Sequence, residues 1–318
     1  MPQNVLVITF SGDHRVMLDG VRAAVEARGA RYHELHTDRF PTEHTVTQRT
    51  VDGQERFYAN TGGDTFELTA TDAVWYRRMR LGQGLPRDMQ TGHREGALAE
   101  TREMFEGWLT ALPCFMVDRL ERVRRAKCKS WQQVLAREVG LDMPRTCLTN
   151  DPTEAAAFLS SCPDGAIAKM LANWAWFDDA GREHVVMTTR VDDTTLQHLD
   201  GLRLSPLQFQ ELIPKAHELR VTAMGNRLFC ARLDSQQVAG AELDWRHKGR
   251  ETLADWRAEA LPDDISRRLL ALLNRTGLQY SAADFIVTPD GRHVFLEANT
   301  SGEWFWLEHV SPGFPLSA

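Results

Sequence analysis

Ser281-Ala282-Ala283-Asp284-Phe285-Ile286-Val287-Thr288-Pro289-Asp290-Gly291-Arg292-His293-Val294-Phe295-Leu296-Glu297-Ala298-Asn299 contains two apolar runs flanking Pro-Asp-Gly, which predicts a β-hairpin. Its polar exceptions carry the interest. Asp284 interrupts the first run, and Glu297 and Asn299 close the second. Side chains alternate along a strand, so Glu297 and Asn299 project to one side. With Asp290-Gly291 as a two-residue loop, Asp284 faces Glu297 directly; a bulged Pro-Asp-Gly loop shifts the pairing by one. Two carboxylates and an amide oxygen form a hard, oxygen-only donor set suited to Mg2+ carrying nucleotide phosphates. The bland alternative is that all three are solvated strand ends. The remaining chain decides against it by supplying the other parts of a nucleotide site.

Upstream, Ala166-Ile167-Ala168-Lys169-Met170-Leu171 places a lysine inside an apolar strand. Lys is rarely buried unless paired, so Lys169 either snorkels to the sheet edge or meets a fixed anion such as a nucleotide phosphate. The loop Ala172 to Asp179 has no glycine, so a lid there closes with aromatic side chains, Trp174 among them. Phe209-Gln210-Glu211-Leu212-Ile213-Pro214 ends a strand at proline and exposes the carbonyls and amides of Glu211, Leu212 and Ile213, the donor–acceptor pair that adenine needs. Arg220 and Thr222 share one strand face, with Val221 and Ala223 on the other.

At the N-terminus, Val5 to Phe10 is a buried parallel strand, Val16 to Arg28 a helix ended by Gly29, and Ala30 to Leu35 the next strand, a βαβ opening. Gln48 to Phe57 and Asp64 to Leu68 read as short strands around Asn60-Thr61-Gly62-Gly63. Ala73-Val74-Trp75-Tyr76-Arg77-Arg78-Met79-Arg80 runs into a basic end, either solvated or in contact with an anion. A helix from His93 to Leu112 buries Leu98, Phe105, Trp108 and Leu109. Arg119 to Lys129 holds six basic residues, most expected on a solvated helix face.

The 318 residues are 42% hydrophobic and 25% charged, with a net charge of −7, which argues against bulk attraction to nucleic acid. No apolar run approaches a membrane span, and the start lacks a secretory pattern. The five scattered cysteines form no C-x-x-C pair, favouring reduced thiols in a cytoplasmic protein.

The hairpin, read as D-F-x-V-x-x-D-G…F-L-E-x-N, resembles the metal-binding end of the ATP-grasp superfamily. The continuation Thr300-Ser301-Gly302-Glu303-Trp304-Phe305-Trp306-Leu307-Glu308 and the Trp75-Tyr76-Arg77-Arg78 segment look more specifically like the graspetide ligases, the microviridin-type peptide maturases. The resemblance implies an α/β ATP-grasp fold: an N-terminal βαβ pre-ATP-grasp domain (1–115), a central α+β lobe (116–205), and a C-terminal antiparallel-sheet lobe with the metal site (206–318), ATP lying between the two lobes. Lys129-Ser130-Trp131-Gln132 through Thr146 matches K-x-x-Q-x-x-x-A…G-x-x-x-P-x-T, whose leading lysine contacts ATP phosphate, with Lys127 as the fallback. Lys169 matches the second ATP lysine. Glu218-Leu219-Arg220 resembles the acidic-x-Arg element, Glu218 for ribose or hinge and Arg220 for phosphate. Asp244-Trp245-Arg246 resembles a substrate-facing D-[WF]-R motif, making Arg246, with Arg232, a candidate to orient an acidic acceptor; a plain surface charge is the alternative for Arg246.

The resemblance thus implies an enzyme using ATP and Mg2+ on Asp284, Glu297 and Asn299 to activate Asp or Glu side chains of a ribosomal precursor peptide and close ester or amide crosslinks. The aromatic segments around Trp174 and Trp304 are expected to exclude water, and helices near Thr153 to Leu159 and Asp192 to Leu199 to dock a leader. A homodimer and a short closing helix after the metal segment are implied by the resemblance alone, the latter raising the prospect of a shortened C-terminus. Two rivals share parts of the pattern: a ligase adding free amino acids to a protein tail, and a non-catalytic module that binds nucleotide and leader peptide.

Overall fold

The computed structural model describes residues 3–63, 65–172, 175–177, 182–185, 187–249, 251–310 and 314–317, with only the backbone at 175–177, 183–185 and 310. The first sheet is parallel, in the order β2-β1-β6-β7, from β1 (Asn4–Thr9), β2 (Arg31–His36), β6 (Ala73–Tyr76) and β7 (Phe115–Val117). Helix α1 (Arg15–Ala27) supplies the crossover of the predicted βαβ unit. Between them, β3 (Thr45–Val51), β4 (Gln54–Asn60) and β5 (Thr65–Leu68) form a separate antiparallel sheet. The stretch read as one strand over Gln48 to Phe57 is thus a hairpin. Asp52 and Gly53 both take positive φ, the type I′ turn that an Asp-Gly pair favours. Helix α2 (Thr91–Ala111) closes this part, burying Phe105, Trp108 and Leu109 against Leu6, Ile8 and Val74.

Helices α3 (Leu120–Ala126) and α4 (Lys129–Glu138) lead to an antiparallel sheet of order β12-β9-β13-β8, from β8 (Thr146–Thr149), β9 (Ala166–Lys169), β12 (Thr189–Arg190) and β13 (Leu207–Glu211). In chain order between β9 and β12, β10 (Ala175–Phe177) pairs antiparallel with β11 (Glu183–Val185) as a separate two-stranded sheet. Helix α5 (Pro152–Ser160) covers one face through Ala155; its Asp151 side chain accepts from the Thr153 amide, with Pro152 in the first turn, the usual chemistry of a helix start. Helix α6 (Asp193–Gln197) begins on an analogous Asp192 cap.

The last sheet is antiparallel, in the order β16-β15-β14-β17-β18: β14 (His217–Met224), β15 (Arg227–Leu233), β16 (Arg257–Ala258), β17 (Tyr280–Val287) and β18 (His293–Asn299). Helix α7 (Asp263–Thr276), ended by Gly277 at φ 72°, packs with α4 on one face, where Leu219, Val221, Phe285 and Phe295 meet Leu269, Leu272 and Leu135. Each such fully buried side chain contributes roughly 1.5–3 kcal/mol. The other face divides its length. Ala231 and Leu233 join Trp256, Trp304 and Leu307 of α8 (Phe305–Val310) against Val7, Met17 and Leu18 of the first sheet and α1. The remainder faces the β8-β9-β13 sheet across an open cleft of about 1570 Å³.

Candidate active site in the interlobe cleft

The hairpin builds one wall of this cleft, and its register has an unexpected origin. The loop is the three-residue one: the Thr288 amide donates to the Arg292 carbonyl, and Gly291 adopts φ 87°. Pairs from Val287↔His293 to Phe285↔Phe295 follow that loop, which alone would place Asp284 opposite Leu296. An irregularity between Asp284 and Phe285 skips Leu296 and restores Asp284↔Glu297. This bulge turns two consecutive residues toward the cleft. Leu296 packs beside Ile213, Ile286 and Val294, while Glu297 joins Asp284 and Asn299. The Asn299 amide nitrogen lies 3.3 Å from Asp284 Oδ2 and 3.4 Å from Glu297 Oε1, so the three predicted ligands converge.

Gln132 holds this strand in place. β18 is a sheet edge, and its Ala298 backbone lies between Glu297 and Asn299. The buried Gln132 amide donates to the Ala298 carbonyl at 2.9 Å and accepts from the Ala298 N–H at 2.9 Å, pairing with the edge as another strand would. Gln132 belongs to the K-x-x-Q stretch, but sequence reasoning gives it no role; its burial on an otherwise amphipathic helix is the available signal.

Cations surround the carboxylates. Lys129, the first residue of α4, places Nζ 3.4 Å from Glu297 Oε2 and 3.3 Å from the Met170 carbonyl. Lys169 points into the cleft from β9; burial lowers its pKa, Glu297 and Asp244 oppose that, and Lys129 and Arg246 reinforce it. Arg220 lies across from Asp284 in the β14–β17 pairing and contacts both its oxygens with Nη1 at 2.9 and 3.1 Å. Burial and neighbouring Glu297 push Asp284 upward against Arg220, whereas Lys129, Lys169 and Arg246 outweigh burial at Glu297 and hold it ionised. Arg246 is gripped by Asp244 at 2.8 and 2.6 Å and enters the cleft from the far side; burial works against ionising Asp244, but these bonds hold its pKa down at about 2.

The hinge is narrower than its sequence predicted. The Glu211 amide donates to the Arg145 carbonyl and the Leu212 amide to the Gly165 carbonyl, because β13 keeps its ladder to the last residue. Of the three amides only that of Ile213 lacks a partner among the described residues, beside the apolar patch of Ile286, Val294 and Leu296. Glu218 is tied to Lys215 at 3.0 Å, and Lys215 also donates to the Leu243 carbonyl at 2.7 Å.

Three expectations are corrected. Arg232 is opposite Leu219, on the helix-covered side of the sheet, and binds Asp234 at 2.8 Å, so it does not enter the cleft. The two-residue Gly225-Asn226 turn fixes this pairing and was legible in the sequence. Trp304 itself is buried in the aromatic cluster with Trp256, while its segment still reaches the cleft through Phe305 and Trp306, which line it together with Tyr76 and Trp245. The anion met by the basic end of β6 belongs to the chain itself: Arg77 Nη2 reaches both Glu303 oxygens at 2.7 and 2.6 Å, and Arg78 pairs with the same carboxylate. Asp13, 3.6 Å from Arg77, completes an ion network. Gly302, next to Glu303, is required sterically, since a Cβ there would lie 2.5 Å from Arg220 Nη2 and 2.6 Å from Ala282 Cβ. Trp174 lies outside the described residues.

A nucleotide and its cation fit these residues. Arg220 Nε is buried with no partner among the described residues and sits beside a hard oxygen donor set. The Ile213 amide lies next to an apolar patch suited to a purine face, and two lysines and an arginine stand between.

The comparisons agree with this geometry. A family model of the MvdD pre-ATP-grasp domain matches residues 4–124. No curated protein matches the sequence. A RiPP-associated ATP-grasp ligase of Chryseobacterium gregarium, solved with ADP and a leader and core peptide, is 31% identical over 97% of this chain and 92% of its own, with a TM-score of 0.92. Macrocyclase MdnC of Microcystis aeruginosa MRC, solved with precursor peptide MdnA, is 39% identical over 99% and 97%, with a TM-score of 0.87. Macrocyclase MdnB of the same organism is 31% identical over 99% and 97%, with a TM-score of 0.82. With identity at this level across nearly the whole chain, and with the interlobe cleft in place, the chain belongs to the ATP-grasp graspetide macrocyclases, a family of ATP-dependent ligases.

Proposed function

We propose that this ligase activates Asp or Glu side chains of a ribosomally made precursor peptide as acyl phosphates and closes them onto hydroxyl or amine side chains, forming ester or amide crosslinks. The observation that carries the proposal is the convergence of Asp284, Glu297 and Asn299 with Lys129, Lys169 and Arg220 from facing walls of the one cleft that the hinge residue Ile213 also lines. Adenine stacks beside Leu296 and takes the Ile213 N–H, with Glu211 to Ile213 as its hinge and Glu218 on the ribose side. Lys129, Lys169 and Arg220 hold the phosphates and offset transition-state charge. Magnesium on Asp284, Glu297 and Asn299 supplies neutralisation of the triphosphate when bound.

Arg246, fixed by Asp244, orients the acceptor carboxylate. A carboxylate oxygen attacks the γ-phosphorus as the bond to the bridging oxygen breaks and ADP leaves. The hydroxyl or amine then attacks the acyl carbon, loses its proton and releases phosphate. Trp245, Phe305 and Trp306 line the cleft and limit hydrolysis of the acyl phosphate. The cleft exceeds the roughly 300–1,000 Å³ of single small-molecule sites, leaving room for a peptide beside the nucleotide.

Division near residues 1–115, 116–205 and 206–318, with both boundaries moved so that β7 stays in the first sheet and β13 in the central one, leader docking on α5 and α6, and a homodimer acting in the cytoplasm complete the proposal. Its support is family likeness and five free cysteines.

Intact mass of a precursor peptide encoded beside the gene, after co-expression with wild type or Glu297→Gln, tests the chemistry. Wild type is expected to remove whole waters, one per bond, and Glu297→Gln to lose about 10²-fold or more of turnover with the fold intact. Gain of amino-acid masses would make it a tail-adding ligase. A bound peptide of unchanged mass would make it a non-catalytic module.

A further inference from the structure

The wall contributed by the first sheet has no part in the nucleotide contacts above. His14 after β1 and Arg78 and Arg80 after β6 line the cleft there, joined by Lys127 at the end of α3. In this corner four cations, Arg77, Arg78, Arg80 and Lys127, face two carboxylates, Asp13 and Glu303, within a chain of net charge −7. Arg77 and Arg78 are taken by Glu303, and Arg80 stacks on the Phe10 ring at 3.8 Å. Lys127 has no ion-pair partner among the described residues. Lys127 is open to the cleft, and partial desolvation, with the neighbouring cations Arg124 and Arg78 reinforcing it, lowers its affinity for a proton. A cation among cations on a cleft wall is stabilised by an anionic ligand.

The hairpin fixes which end of the cleft this is. The adenine-side residues Ile286 and Val294 come first, Asp284 and Glu297 next, then Ala282 and Asn299, then Tyr280, whose hydroxyl donates to the Gly302 carbonyl at 2.5 Å, and last Glu303 with Arg77 and Arg78. At about 3.3 Å per residue, the basic wall lies beyond the metal ligands, on the side away from the hinge. A nucleotide running from the Ile213 amide to the metal ligands directs its terminal phosphate toward this wall.

We propose that Lys127, with Arg78 and Arg80, forms a subsite that binds a carboxylate side chain of the acceptor peptide and selects acidic over neutral residues. The proposal rests on the ligase reading above and assigns Lys127 to the acceptor rather than to ATP phosphate.

Fluorescence anisotropy of two labelled peptides, Thr-Glu and Thr-Gln hexamers, on the full chain with the Mg2+ complex of a non-hydrolysable ATP analogue tests it. Wild type should prefer the Glu peptide by at least about tenfold, and Lys127→Gln should abolish that preference while nucleotide affinity stays within about twofold. Equal binding of both peptides by wild type, or an unchanged preference in Lys127→Gln, overturns the subsite. Weakened nucleotide binding with retained peptide preference would make Lys127 a phosphate contact and also overturn it. Failure of wild type to bind the nucleotide at all would instead overturn the ligase reading.

Discussion

Arg220, Arg232 and Arg246 all lie near the D-W-R and E-x-R elements in sequence, yet their surroundings assign them different work. Arg220 contacts both Asp284 oxygens from inside the cleft. Arg246 is held as a fork by Asp244 and is half-exposed to the open space. Arg232 shares Asp234 with Arg257 on the other side of the sheet. The two outer arginines give a clean contrast. Arg246→Ala should reduce peptide-dependent ADP release by about 10²-fold, the usual cost of removing one charge-stabilising donor. Arg232→Ala should leave it within about twofold and change stability by less than about 1 kcal/mol, since Asp234 keeps Arg257 and the pair is partly solvated. Steady-state ADP release with each variant checks both statements, and a large loss in Arg232→Ala would contradict its placement.

At the scale of elements, the hairpin and the loop after it behave as one device. The bulge at Leu296 lets one strand serve the apolar patch and the metal ligands together, Gln132 fixes its edge, and the Thr300 to Glu303 loop anchors Arg220 through the Glu303 carbonyl at 3.4 Å. Gly302 is the tight point of that loop. Gly302→Ala forces a methyl against Arg220 and the Ala282 Cβ, so it should cost about 1–3 kcal/mol and displace Arg220 from Asp284. Urea unfolding should show the lowered midpoint, and ADP release should fall further than the stability loss explains. Wild-type values in both would mean that the loop shifts freely and does not position Arg220.

At the scale of the molecule, Asp118 joins the first sheet to the last. It is 3% exposed and accepts from the Gln279 and Tyr280 amides at 2.6 and 3.0 Å where β17 begins. Burial raises its pKa to about 6 against those two bonds. A carboxyl raised above its unfolded value contributes stability that is present below about pH 4 and lost as pH rises through about 6. The shift corresponds to on the order of 2–3 kcal/mol. The stability difference between wild type and Asp118→Asn should therefore fall between pH 4 and pH 6 and level off above pH 7. Chemical denaturation across that range measures it, and a flat difference would show that Asp118 titrates normally.

Chain order and local chemistry determined much of this protein by themselves. The strand pattern, the Pro-Asp-Gly turn, the spacing of Glu297 and Asn299, the lysine inside β9 and the proline ending β13 are local features, written in periods of two residues and in turn chemistry. Even the face of Arg232 was readable from the Gly225-Asn226 turn, and the β3–β4 hairpin from Asp52-Gly53. Other decisions belonged to the tertiary structure because they depend on which distant segments meet. The bulge that restores Asp284 to Glu297 lets Leu296 and Glu297 face the cleft together, Leu296 packing beside Ile213 and Glu297 meeting Lys129. Which hinge amide stays free depends on Arg145 and Gly165 arriving alongside β13. The partner of Arg77 is a glutamate 226 positions away, brought close only when the first and last sheets pack together. Local sequence encodes donors, acceptors and strand faces; the folded chain decides which of them are already satisfied.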